Sequence, residues 1–284
     1  GQNNFGIRCN TLIQAADKTI QELEDLNIPY RKIPWTQHTF VISAEFKSQL
    51  SHHQLVNSGK MAIQNVSSIW AVMALGPQPH EDILDIAAAP GSKTALIAQY
   101  MQNTGHISAC EKSKARFHKL NDYMKRLGVT NTKTYLKDSR LIWKHCAERF
   151  DRVLCDAVCS SESRFDASNP ETYKHWSTAK IKQVCHTQKG LLESAYRCLK
   201  PGGLFVYSTC TFAPEENEAQ IHQLLKKHPG CIEVLPITCS LSNQQPGLTT
   251  WKDHQFLPNV QHCLRILPNS DMTSFFISLL RKVR

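Results

Sequence analysis

Ile83-Leu-Asp85-Ile-Ala-Ala88-Ala-Pro-Gly-Ser-Lys-Thr94 is the stretch whose reading decides the fold. The apolar run at 83–88 stops at Pro-Gly, and a helical pattern follows at 95–101, so the segment reads as strand, tight turn and helix. Working outward, 106–110 is a second strand ending at Glu111, 114–127 a helix closed by Gly128, and 132–136 a third strand ending near Asp138. A fourth strand is expected at 152–157 and a long helix at 179–199, stopped by Pro201-Gly202-Gly203. A fifth strand at 204–208 leads into Cys210, and a helix at 215–227 follows, with Pro214 suited to its first turn. Such alternation specifies an α/β, Rossmann-like, mostly parallel, doubly wound sheet whose ligands bind beyond the carboxyl ends of the strands. The segments 263–267 and 275–280 are expected to add an antiparallel edge. Residues 1–60 lack a strong period, apart from a helical stretch at 12–26, and form a small N-terminal α+β extension.

Composition narrows the class. A chain of 284 residues, 41% hydrophobic and 20% charged, is ordinary for a globular protein, and no apolar run reaches bilayer length. The formal charge of +9 favours a polyanionic partner, because Lys and Arg that neutralise phosphates release counterions. The 11 cysteines include no CxxC pair, so neither a metal site nor a dithiol redox centre is expected. Reduced thiols in the cytoplasm fit best, and nothing requires more than a monomer.

The turn at Ala87, Ala88, Ala89, Pro90, Gly91, Ser92 and Lys93 places small residues where backbone must approach a ligand, just before a helix N-terminus. It is neither GxGxxG nor a P-loop. Glu111, at the end of the second strand, is placed to accept both hydroxyls of a ribose, so an adenosine-containing cofactor is expected.

Four motifs stand in order: Asp85-Ile-Ala-Ala-Ala-Pro-Gly-Ser-Lys-Thr, Asp156-Ala-Val-Cys159, Tyr207-Ser-Thr-Cys210-Thr and Glu215-Glu216-Asn217-Glu218. Together they resemble the Sun-type (Fmu-type) RNA cytosine-C5 methyltransferases. Arg8-Cys-Asn10 and Gln64-Asn-Val-Ser extend the likeness toward the N-terminus. The resemblance implies S-adenosyl-L-methionine as cofactor and a catalytic domain over 61–284, preceded by an RNA-binding extension over 1–60. It implies Cys210 as the nucleophile that adds to C6 of cytosine, Cys159 as the thiol that aids product release, and Asp156 as the group on the N3 and N4 edge. Lys93 would orient the base or lower a thiol pKa. Asp138 would lie near the adenine amino group, Arg116 on the ribose side, and Asp156 would also border the cofactor. Arg8, Asn10 and Gln64 are expected to touch RNA.

Val158 and Ser161 stand where the family has proline and glycine, which implies a less preset loop around Cys159. Trp70, Tyr173 and Trp176 are candidate stacking platforms for bases. Ribosomal RNA is the expected substrate, with tRNA close behind. Two other readings stay open: DNA cytosine methylation with Cys159 as attacker, and a non-catalytic RNA-binding protein of the same fold.

Overall fold

A computed structural model describes residues 4–284. Its N-terminal layer runs β1 (Asn4–Cys9), α1 (Ala16–Glu24), β2 (Tyr30–Lys32), β3 (Thr39–Ser43), α2 (Lys47–His52), α3 (Gln54–Asn57) and β4 (Met61–Ile63). The strands form an antiparallel sheet in the order β2-β3-β1-β4, so the layer extends a few residues past 60. The helix expected at 12–26 is shorter, because residues 11–13 turn about Asn10, whose Oδ1 accepts from the Leu12 N–H at 3.2 Å. Ile7, Leu23, Phe40, Ile42 and Leu50 fill this layer's own core.

Then come α4 (Val66–Leu75), β5 (Asp82–Asp85), α5 (Ser92–Tyr100), β6 (His106–Glu111), α6 (Lys114–Arg126), β7 (Thr132–Leu136), α7 (Trp143–Cys146) and β8 (Phe150–Asp156). The chain continues through α8 (Thr178–Cys198), β9 (Leu199–Thr209), α9 (Glu218–Lys227), β10 (Ile232–Leu235) and β11 (Gln244–Pro246). A short hairpin of β12 (Thr250–Trp251) and β13 (His254–Gln255) precedes β14 (Leu264–Ile266) and β15 (Phe275–Lys282). Helix boundaries follow local chemistry. The Asn65 side chain accepts from the Ser67 N–H to start α4, Gly76 ends it at φ 60°, and Ser177 caps α8 through the Lys180 N–H.

The central sheet has the order β11-β14-β15-β9-β8-β5-β6-β7, with β10 also on β15. Strands β5 to β9 pair in parallel, and β15 runs antiparallel to β9. The antiparallel edge expected from 263–267 and 275–280 is present as β14 and β15, and β11 and β10 widen it into a flank of four strands. Side chains alternate along the central strands: Ile83, Leu154 and Val206 pack toward α4 and α5, while Leu84, Val153 and Phe205 pack beneath α8. Burial on both faces explains why these strands read as continuous apolar runs.

After β7 the chain crosses back to place β8 on the free side of β5, so the winding reverses between those two strands. Ligands of doubly wound sheets bind at such a reversal, beyond the carboxyl ends. Asp85 and Asp156 close these two neighbouring strands, and Glu111 closes the next. Among the described residues, no helix is long and apolar enough to cross a membrane.

Candidate active site

A cleft of about 700 Å³ opens at the reversal, lined by Ala87, Ala89, Pro90, Ser92, Lys93, Glu111, Arg116, Asp138, Asp156, Cys159 and Cys210. It brings together residues that are 123 positions apart, from Ala87 to Cys210. The turn works from two sides. Ala88 is buried and its N–H donates to Cys110 O at 2.8 Å, holding the turn against β6. Gly91 has φ 112°, and a side chain there would meet Met124 and Leu120 within 3 Å. These two, expected at the cofactor, thus shape the wall from behind, because the turn needs backbone packed against β6 and α6 to present its other residues.

Glu111 is almost fully buried, with Oε1 accepting from the Ser113 N–H at 2.8 Å. Its Oε2 lies 3.5 Å from the Arg116 guanidinium, which also donates to Ala89 O. Arg116 thus joins the end of β6 to the turn. Asp138 is half exposed on the cleft wall and paired with Arg140 at 2.6 Å, which with burial partly opposing holds its carboxyl below the usual range.

At the other end, Asp156 accepts from Ser208 Oγ at 2.7 Å through Oδ1 and from Lys93 Nζ at 2.7 Å through Oδ2. The Cys159 and Cys210 sulfurs are 3.4 Å apart, a contact between free thiols. Their pKa values are pushed in opposite directions, since one proton shared between two sulfurs favours a single thiolate. The hydrogen bond from Cys159 draws Cys210 down to about 6, against burial and the nearby Asp156 carboxylate; Ser161 and Ser163 add to the lowering. The same sulfur contact, with burial, pushes Cys159 well up. Cys155, Cys110 and Cys263 are buried and their thiols are raised by desolvation, as structural cysteines should be.

Two loops carry these thiols, and a polar network not anticipated from sequence joins them. Glu216 Oε2 accepts from the Ser160 N–H at 2.9 Å and from Gln188 Nε2 at 3.0 Å. Gln188 also donates to Val158 O at 3.0 Å, and Ser160 and Thr211 share a hydroxyl contact of 2.8 Å. Tyr207 donates to Glu216 O, and Asn217 Nδ2 to Thr211 O. Glu218 and Arg265 form a buried two-point ion pair at 2.6 Å, and Arg265 holds Phe212 O. The Glu215–Glu218 motif is therefore the clamp that fixes the separation of the two sulfurs. Ser161 takes the left-handed conformation at φ 60° that glycine would adopt freely, so the loop around Cys159 is preset by these bonds where proline and glycine are missing.

Other expected contacts lie elsewhere. Arg8 is 2% exposed; its Nε donates to Gln64 Oε1 at 3.0 Å and its Nη1 to Gln99. Asn10 donates to Gly59 O and Leu127 O, both at 2.9 Å. Buried and engaged, Arg8 and Asn10 tie the N-terminal layer to α5 and to the end of α6. Gln64 borders the cleft but is nearly buried as the partner of Arg8. Trp70 packs on Trp35 at 4.9 Å in the core, so it is no stacking surface, whereas Tyr173 and Trp176 are exposed.

The depressed Cys210 thiol gives an expected pH profile. Because its pKa lies below the ordinary value, thiolate is present above about pH 6 and lost below it. Alkylation of Cys210 by iodoacetamide, followed by peptide mass spectrometry, should rise through about pH 6. A rate that climbs only near the ordinary thiol pKa would remove the hydrogen-bonded thiolate from this account.

Residues 72–281 match the family model described as 16S rRNA methyltransferase RsmB/F. The ribosomal RNA small subunit methyltransferase F of Vibrio parahaemolyticus is 34% identical over 279 residues, covering 97% of this chain and 56% of that protein. The tRNA (cytosine(49)-C(5))-methyltransferase of Pyrococcus abyssi is 36% identical over 282 residues, covering 98% of this chain and 88% of that protein. The solved structure of a methyltransferase homolog protein from Pyrococcus horikoshii superposes with TM-score 0.84 at 31% identity, covering 99% of this chain and 87% of that one. The chain thus spans a little over half the length of the F-type relatives it matches, such as the Vibrio protein.

Proposed function

The chain belongs to the 16S rRNA methyltransferase RsmB/F family, and from that premise we propose that it methylates C5 of a cytosine in RNA with S-adenosyl-L-methionine as donor. The observation that carries this reading is the pair of free thiols 3.4 Å apart beside Asp156, in the cleft whose other end holds the buried Glu111. The donor set fits the cofactor. Glu111 keeps an acceptor oxygen at the cleft wall for the ribose hydroxyls, Ala87, Ala89 and Ser92 supply small residues and backbone beside it, and Asp138 borders the far wall. Bound there, the cofactor supplies the electrophilic methyl group that an activated C5 takes.

The chain's own residues activate the base. The Cys210 thiolate bonds to C6, and the C5=C6 electron pair moves onto the ring, making C5 nucleophilic. Asp156 accepts from the exocyclic N4 amine, using lone pairs not spent on Ser208 and Lys93. The Lys93 ammonium offsets negative charge that develops as sulfur adds. Once Cys210 is bonded to carbon it no longer competes for a proton, so Cys159 can release its own to solvent and serve as base. It then takes the proton from C5, the C5=C6 bond re-forms, and the C6–S bond breaks to return the Cys210 thiolate.

Ribosomal RNA is the substrate we put first, since the family description and the Vibrio relative name it; the Pyrococcus abyssi relative keeps tRNA as the second arm of the test. Incubation with methyl-labelled S-adenosylmethionine and fractionated total RNA should place the label in 5-methylcytidine, chiefly in ribosomal RNA. Label in any other nucleoside would sink the reading. A further expected outcome isolates Glu111. Glu111→Gln should weaken cofactor binding by roughly 10-fold to 100-fold in calorimetry, as loss of hydrogen bonds to a charged group does. Unchanged affinity would take the ribose away from this residue.

A further inference from the structure

The segment between β8 and α8 does something the two-thiol chemistry does not use. It raises Phe165, Tyr173 and Trp176 out of the surface, each more than a third exposed. Exposed aromatic residues scattered singly are normal on protein surfaces. These three gather about Phe165, which lies 5.8 Å from Tyr173 and 6.4 Å from Trp176, ring centre to ring centre. They are also tied to the nucleophile. Glu162 accepts from Trp176 Nε1 at 2.8 Å through one oxygen and from the Phe212 N–H at 3.0 Å through the other, and Phe212 is two residues beyond Cys210. The Ser163 N–H donates to Cys210 O at 3.2 Å. Phe212 itself adds a fourth exposed ring on this side. Arg164, between the clamp and the cluster, lines the cleft, while Lys180 and Lys182 stand exposed on the first turns of α8.

We propose that Phe165, Tyr173 and Trp176, held by Glu162 next to Cys210, form the stacking platform for the unpaired nucleotides that flank the target cytosine. The proposal rests on the reading that this chain acts on RNA. An aromatic face takes any base through its π surface, and nearby cations hold the intervening phosphates, so the platform is tolerant of sequence but demands single-stranded RNA. A base inside a duplex hides both faces in the stack and cannot use it. The clamp explains why the platform belongs to the reaction. Glu162 fixes the ring cluster relative to the Cys210 loop, so a stacked neighbour sets where the cytosine enters.

The test measures binding of a fluorescein-labelled single-stranded oligocytidine RNA by anisotropy, to the whole chain and to Trp176→Ala, Phe165→Ala and Trp176→Phe. The same RNA with abasic sites on both sides of the central cytosine completes the cycle. Trp176→Ala and Phe165→Ala should each weaken binding by about ten-fold or more, and Trp176→Phe, which keeps a ring but loses the bond to Glu162, should fall between Trp176→Ala and wild type. The abasic RNA should bind wild type and Trp176→Ala alike, which a merely structural role of Trp176 would not produce. Cofactor affinity, read by calorimetry, should be the same in all four proteins and reports that they are folded. The platform is overturned if Trp176→Ala binds the intact RNA as wild type does, if abasic sites weaken both proteins equally, or if wild type does not bind this RNA. In those cases, methyl transfer to total RNA by wild type leaves the proposed function standing and the platform alone fails. If no RNA accepts label although the cofactor binds, the proposed function fails and takes the platform with it.

Discussion

Cys210→Ala is expected to abolish methyl transfer to RNA, by on the order of 10⁴-fold or more, while leaving cofactor affinity unchanged. The size follows from what the sulfur does. Without addition at C6, C5 of cytosine is not nucleophilic, and no neighbouring group is assigned the same step: with the Cys210 sulfur gone, burial still disfavours a Cys159 thiolate. The loop should survive the change, because its anchors are Glu216, Asn217 and the Glu218–Arg265 pair rather than the thiol. Transfer of methyl label to RNA, measured beside calorimetry of the cofactor, separates the two effects. Full activity in this variant would show that the covalent step is absent.

Cys159→Ala is expected to produce a different failure. The nucleophile can still add and C5 can still take its methyl group, but the proton on C5 loses its acceptor, so the bond to Cys210 persists. Protein and RNA should then migrate together on a denaturing gel, and multiple turnover should fall by at least about 100-fold, the size of a missing general base. A second consequence has the opposite sign for the nucleophile. Removing the Cys159 thiol removes the largest cause of the lowered Cys210 pKa, so Cys210 alkylation should move to higher pH in this variant. If Cys159→Ala turns over normally and shows no adduct, another group removes the C5 proton. An adduct that forms on Cys159 in Cys210→Ala would exchange the two roles and favour the attack geometry of DNA cytosine methylation.

Much of the fold was legible because its signals are local. The strand, turn and helix around Ala89-Pro90-Gly91 and the acid at Glu111 carry their own punctuation, whereas Pro201-Gly202-Gly203, read as a stop before a strand at 204, lies inside β9 because α8 already ends at Cys198. The order of strands is a matter of crossover connections and was legible only as a class. The antiparallel flank was read in part, since β15 is a mostly apolar, buried run while Gln244–Pro246 is polar, exposed and too short to show a period. Cys159 and Cys210 were found through their motifs, but the clamp between them depends on Glu216 reaching a backbone N–H 56 residues away, and sequence does not show such closure. Arg8 and Asn10 mark the opposite difficulty. A positive charge and an amide in a basic chain read as RNA contacts, yet their partners are Gln64, Gln99 and backbone carbonyls at Gly59 and Leu127. Burial is a property of the packed layers, and polar residues disclose it only through partners far along the chain.

The measurement that tests the account most directly is peptide mass spectrometry of the wild-type chain after incubation with S-adenosylmethionine and 5-fluorocytidine-substituted RNA. Fluorine on C5 cannot leave as a proton does, so addition should arrest with the base still joined to the protein. The account predicts a single nucleotide adduct on the peptide that contains Cys210. An adduct on Cys159, or none in a chain that binds both cofactor and RNA, would contradict it.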